Sequence, residues 1–159
     1  MSTKVQKTYC NAAYTKWMNK LAKTAKSKFG ISIVFSDSQP DQYLGEHGMI
    51  VVNTKQTKEN QMFSLLHEMG HAQNRSKENF NKEYALLHKH DMTGIPIRSY
   101  AFRVQLLEEE IQAWRNGERI ADKLNIKLNK RAYDNCAAIC VMSYIDWAAD
   151  RDWQVPPYA

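Results

Sequence analysis

The chain has 159 residues, of which 43% are hydrophobic and 25% charged; this fits one domain able to bury about two-thirds of its unfolded surface and excludes wholesale disorder. No apolar run approaches the ~18 residues needed to cross a bilayer, and no apolar block with a cleavage site opens the chain, so no membrane role and a cytoplasmic location are expected. The net charge of +5 is unevenly spread: residues 1–29 carry seven lysines and no acid, which leaves −2 for residues 30–159.

The basic segment is also periodic. Tyr14, Trp17, Met18, Leu21, Ala25 and Phe29 recur at helical spacing while Lys16, Lys20 and Lys23 fall on another face, which predicts an amphipathic helix stopped at Gly30. A solvated lysine face explains the charge more cheaply than contact with nucleic acid or another polyanion, so that partner is not favoured. Ile31–Phe35 predicts a strand, Ser36–Gln42 a turn-rich loop, and Gly48, Met49, Ile50, Val51, Val52 and Asn53 a second strand. Thr57 is placed to cap a helix over about 58–74, through Met62, Leu65, Leu66, Met69 and Ala72. A shorter helix over 78–90 precedes a breaker cluster at Asp91–Pro96. Two long helices follow, over 100–124 and 133–147, and a tail over 154–159 ends the chain. Cys136 and Cys140, four apart on the last helix, read as small buried packing residues. Together with Cys10 they make an odd number with no C-x-x-C pair, so reduced thiols are expected.

The chemistry lies in His67-Glu68-Met69-Gly70-His71, an H-E-x-x-H sequence inside the third predicted element after the first helix. Residues i and i+4 share one helical face, so the two imidazoles can converge on a single Zn²⁺ while Glu68 reaches the water beside it. With five histidines and nine glutamates in the chain, a chance match is expected roughly 0.01 times.

A catalytic zinc needs a third protein ligand and an open fourth position. The candidates are Glu108, Glu109, Glu110, His88 and His90. At about 100° per residue from Glu110, Leu107, Trp114, Gly117 and Ala121 lie within about 60°, whereas Glu109 is near −100° and Glu108 near 160°. Helical phase therefore favours Glu110, since a buried carboxylate needs a partner, with Glu109, His88 and His90 as alternatives. His88 and His90 can equally be surface residues or oxyanion donors, a role for which Tyr84, Tyr100 and Tyr144 also compete.

The runs Gly48–Asn53, Leu65–Ala72 and Glu110–Ala113 resemble the small gluzincins related to the ImmA/IrrE peptidases, many of them encoded by phages and mobile elements. The resemblance covers about residues 30–125. It implies an α+β, zincin-like (minigluzincin) fold: an N-terminal helix, a short twisted sheet, the H-E-x-x-H helix and later helices, one of them delivering a glutamate. It also implies one zinc ion held by His67, His71 and Glu110, Glu68 as general base, a protein or peptide substrate, and a strand at Gly48–Asn53 whose free edge pairs with an extended peptide. Position 114 departs from the pattern: it is Trp where that family usually has Asn and thermolysin-like gluzincins have an Asp that orients a ligand histidine. The expected activity is hydrolysis of peptide bonds. The alternatives are a SprT-like, DNA-associated protease with a histidine as third ligand, and a catalytically silent zincin that binds a protein. A structural zinc in a nucleic-acid-associated protein is opposed by the lack of a cysteine-rich four-ligand set.

Overall fold

In the computed structural model, which describes residues 3–93 and 99–150 with side chains from Ala12 onward, the predicted helices are present, except that the one expected over 78–90 is two, Phe80–Glu83 and Ala85–Thr93, the second running into the expected breaker cluster. Helix α1 (Thr3–Thr24) continues through a wider π turn (Ala25–Phe29) and stops at Gly30, whose left-handed φ of 72° lets its N–H return to the carbonyls of Ala25 and Lys26. Met18, Leu21 and Ala25 are buried, while Lys16, Lys20, Lys23, Lys26 and Lys28 are exposed. The described part of the lysine face is thus solvated, as expected. Cys10, the first two lysines, Gly94–Pro96 of the breaker cluster and the tail over 154–159 lie outside the described side chains.

Three strands follow: β1 (Ser32–Ser36), β2 (Gln42–Leu44) and β3 (Met49–Asn53). Their order is β1-β3-β2, with β3 parallel to β1 (Ile33 opposite Ile50) and antiparallel to β2 (Tyr43 opposite Ile50). This corrects two expectations. A short strand, Gln42–Leu44, follows the turn-rich loop, where its length and lack of β-branched residues concealed it. And Met49–Asn53 is the central strand, paired on both sides, so it has no free edge; Ile50, Val51 and Val52 are fully buried, and Gly48 sits in a left-handed turn just before them. The edge beside the cleft belongs to β2.

Beneath the sheet runs α2 (Lys58–Arg75), capped by Thr57, whose hydroxyl accepts the Asn60 N–H. Two short helices, α3 (Phe80–Glu83) and α4 (Ala85–Thr93), make the connecting lobe. Then come α5 (Tyr100–Lys123), capped by Ser99, and α6 (Lys130–Ala149), capped by Asn129. The main core joins Leu21, Ile50, Val52, Met62, Leu65, Leu66 and Met69 to Trp114, Ile120, Ala121 and Tyr133. A second cluster, Phe80, Leu87, Phe102, Tyr144 and Trp147, anchors the lobe to α5 and α6. Arg103 is buried there and donates to the carbonyls of Trp147 (2.9 Å) and Ala148 (3.2 Å), satisfying groups that the end of α6 leaves open.

The packing of α5 on α2 is unusually close because small residues meet at two points. A Cβ added to Gly70 would lie 2.0 Å from the Ala113 carbonyl oxygen, and one added to Gly117 would lie 2.7 Å from that of Leu66. This contact also turns α5 away from the phase its large apolar residues suggest. Val104 is 52% exposed, whereas Glu109, Ala113, Asn116, Gly117 and Ile120 are buried, so the buried stripe spans about −120° to +40° from Glu110 and takes in Glu109. Large apolar side chains at the border of a helix can remain half-exposed; the backbone-to-backbone approach sets the centre of the contact.

Gly70→Ala tests this contact. Alanine favours a helix by about 1 kcal/mol, but a methyl 2.0 Å from a backbone oxygen forces the helices apart. Urea denaturation is expected to show a net loss of about 1–3 kcal/mol; an unchanged or higher midpoint would refute the close approach.

Candidate active site

Helix α2 presents His67, Glu68 and His71 to a cleft of about 720 Å³. Its walls come from Pro40–Leu44 with Asn53, Gln56 and Ser64 on one side, and from Leu87, His90, Phe102 and Leu106 on the other; α6 contributes Cys136, Ile139, Cys140 and Tyr144. Asp41 fixes the sheet-side wall by accepting from the Asn53 N–H (2.7 Å), Gln56 Nε2 and Ser64 Oγ (2.8 Å).

Three side chains converge on the cleft floor. His67 Nε2 and His71 Nε2 are 3.0 Å apart, and Glu110 places one oxygen 3.3 Å from the first and the other 3.4 Å from the second. Ligand atoms about 2.0–2.1 Å from a tetrahedral ion stand about 3.3–3.4 Å from one another, so this spacing suits Zn²⁺. The donors of His71, Glu109 and Glu110 also lie within 4.8 Å of one another. Glu109, however, is engaged elsewhere: its Oε2 lies 2.7 Å from His71 Nδ1 and its Oε1 accepts from Asn74 Nδ2 (3.4 Å).

Glu109 thus does what the residue at 114 does not. It holds the second ring nitrogen of His71, which fixes the ring and directs Nε2 toward the shared point. Reading Glu109 only as an alternative ligand missed this, and the available signal was a polar and small stretch, Ala113, Asn116 and Gly117, on its own side of the helix. Trp114 takes a different part: its indole stacks on the His67 ring at 4.4 Å and 24°, and is backed by Tyr133. Asn116 donates to the Gly70 carbonyl (3.2 Å), tying α5 to α2 one turn further on.

The remaining candidates separate by position. His90 lines the cleft and packs against Phe102, but neither it nor His88 belongs to a metal-holding group among the described residues. His88 is half-buried and does not line the cleft, and Tyr100 is exposed away from it. Tyr84 does not line the cleft either, whereas Tyr144 does and hydrogen-bonds Glu110. Cys136 and Cys140 are half-buried and pack against the main core, as expected of small apolar residues, and both also line the cleft.

Burial and neighbouring charge divide the ionisable groups. Glu68 is buried, and loss of solvent raises its carboxyl, partly offset by His67 and His71. Burial also acts to raise Glu109 and Glu110, but the His71 charge beside them wins and holds both below the usual carboxylate range. Burial pushes the His71 imidazole down, yet Glu109 and Glu110 outweigh it and raise its pKa to about 10. Burial and the Glu110 charge push the Cys140 thiol up to about 12.

The family model described as the IrrE N-terminal-like domain matches residues 26–131, about two-thirds of the chain. The chain belongs to this family. That membership makes it a zincin-like α+β protein of a metallopeptidase family, as the resemblance implied. No curated protein and no solved structure gives a significant match. The matched segment holds the sheet, the H-E-x-x-H helix and Glu110, and it ends at the first turn of α6.

In the metal-free protein, a histidine with a raised folded pKa stabilises the fold fully below its unfolded value of about 6.5, and that contribution is lost as pH rises through about 10. Imidazole NMR should find His71 protonated at pH 8, and the urea midpoint should fall between about pH 6.5 and 10. Glu109→Gln should move His71 downward; an unaltered titration would dissociate Glu109 from His71.

Proposed function

We propose that this chain is a single-domain zinc peptidase that cleaves peptide bonds in a protein or peptide substrate. The supporting observation is the convergence of His67 Nε2, His71 Nε2 and Glu110 at 3.0–3.4 Å, with Glu68 beside them on the cleft floor. His67, His71 and Glu110 would hold one zinc ion, with Glu109 orienting His71 and Trp114 covering the face of His67. When bound, zinc polarises the substrate carbonyl and lowers the pKa of its water toward ~7.

Glu68 acts as the proton carrier. It is buried on the cleft floor, and loss of solvent raises its pKa, the direction that suits a general base. It takes the proton of the attacking water and returns it to the departing amine. An extended substrate segment fits along β2, the edge strand whose residues Gln42, Tyr43 and Leu44 line the cleft; it would continue the sheet on the side away from β3. His90 and Tyr144 are the donors on the opposite wall that can face a developing oxyanion.

Metal analysis beside a proteolysis assay tests the assignment. Glu68→Gln should keep near-stoichiometric zinc and lose about 10²–10⁴-fold in turnover, while Glu110→Ala should lose the zinc itself. A Glu68→Gln variant with full activity would remove the general-base role, and zinc retained by Glu110→Ala would remove the third ligand.

A further inference from the structure

Helix α6 brings a fourth metal-binding atom to the cleft floor. Cys140 Sγ lies 3.9 Å from Glu110 Oε2, and the donor atoms of Cys140, Glu110 and His67 all lie within 4.8 Å of one another. A four-coordinate zinc with a bond of about 2.3 Å to sulfur and about 2.0–2.1 Å to oxygen or nitrogen needs about 3.5 Å between sulfur and those atoms. The sulfur thus stands about 0.4 Å beyond that spacing from Glu110 Oε2 and at most about 1.3 Å beyond it from the His67 donor, a gap that rotation about χ1 of a half-buried side chain can narrow.

A second observation points to the same sulfur. The Trp114 indole N–H is buried and has no partner at hydrogen-bond length, although Trp114 is only 8% exposed. Its side chain is in contact with that of Cys140, whose sulfur can accept from it. A neutral thiol is a weak acceptor, whereas a metal-bound thiolate accepts an N–H well, so coordination of the sulfur would supply this buried donor with its partner. A metal ion ionises a coordinating thiol outright, which overcomes the burial that otherwise keeps it neutral.

We propose that Cys140, as its thiolate, is a fourth protein ligand to the metal held by His67, His71 and Glu110, so that the loaded chain is latent until water or substrate displaces the sulfur. The inference rests on the zinc reading above. On coordination the thiol proton leaves to solvent and no electron is transferred. A site with four protein ligands is closed, whereas a catalytic one keeps a position open, and here one rotatable side chain separates the two.

Cobalt substitution reads the sulfur directly. The full-length wild type, Cys140→Ala, Cys140→Ser and Cys136→Ala are loaded with Co²⁺ under reducing conditions, with circular dichroism to verify folding. Wild type and Cys136→Ala should show a near-ultraviolet thiolate-to-cobalt charge-transfer band, and both Cys140 variants should lack it while keeping the visible cobalt bands. Acetohydroxamate should then shift those visible bands in the Cys140 variants at concentrations at least about tenfold lower than in wild type. Visible bands without a charge-transfer band in wild type would overturn the thiolate ligand and leave the three-residue site standing. Equal response to hydroxamate in all four proteins would overturn the latency, and no cobalt binding in any of them would overturn both this inference and the zinc reading.

Discussion

The close approach of α5 to α2 is the constraint on which the site depends. Gly70 lies between the two motif histidines' turns, and its lack of a Cβ lets the Ala113 carbonyl come against the helix that carries them. Gly117 repeats the contact one turn away, against Leu66. With the backbones this near, the short side chains of Glu109 and Glu110 reach the imidazoles directly, one at Nδ1 and the other at Nε2 of His71. A wider spacing, filled by Leu or Ile, would leave both carboxylates buried and unpaired, at several kcal/mol each.

That geometry also solves an electrostatic problem. Three carboxylates and two imidazoles share a nearly dry floor, where any one of them alone would be forced into its neutral form. In the metal-free chain a single proton on His71 reconciles Glu109 and Glu110, and Glu68, with no such close partner, is the carboxylate whose pKa rises. The carboxylate needed for proton transfer is thereby separated from the ones that hold charge, by environment alone. A cation bound between the two Nε2 atoms would replace the proton and keep the same balance.

The last helix gives the site its individual character. Tyr144 and Cys140, one turn apart on α6, both meet Glu110, and Tyr133 supports Trp114 from beneath through a hydrogen bond to its carbonyl (2.8 Å). Trp114 in turn occupies the place where the related pattern has a small amide. The larger ring covers His67, and the second ring nitrogen of His71 is held by Glu109, five residues earlier and about 140° around the helix.

By itself the sequence determined the helices, their caps at Thr57 and Gly30, the H-E-x-x-H motif and the preference for Glu110, because each of these is written in local spacing: a period of 3.6, a hydroxyl before an apolar run, two histidines one turn apart. It did not determine that β2 exists, that the strand at Met49–Asn53 is central, that Glu109 is buried, or that Cys140 sits beside Glu110. A three-residue strand carries too little pattern to be seen, and strand order is a matter of which edges meet in space. The rotation of α5 was decided by two glycines on different helices, Gly70 against the Ala113 backbone and Gly117 against that of Leu66, and the position of Cys140 by how α6 packs beside α5. Only the tertiary structure could settle these, since each depends on a contact between segments whose separate sequences are silent about one another.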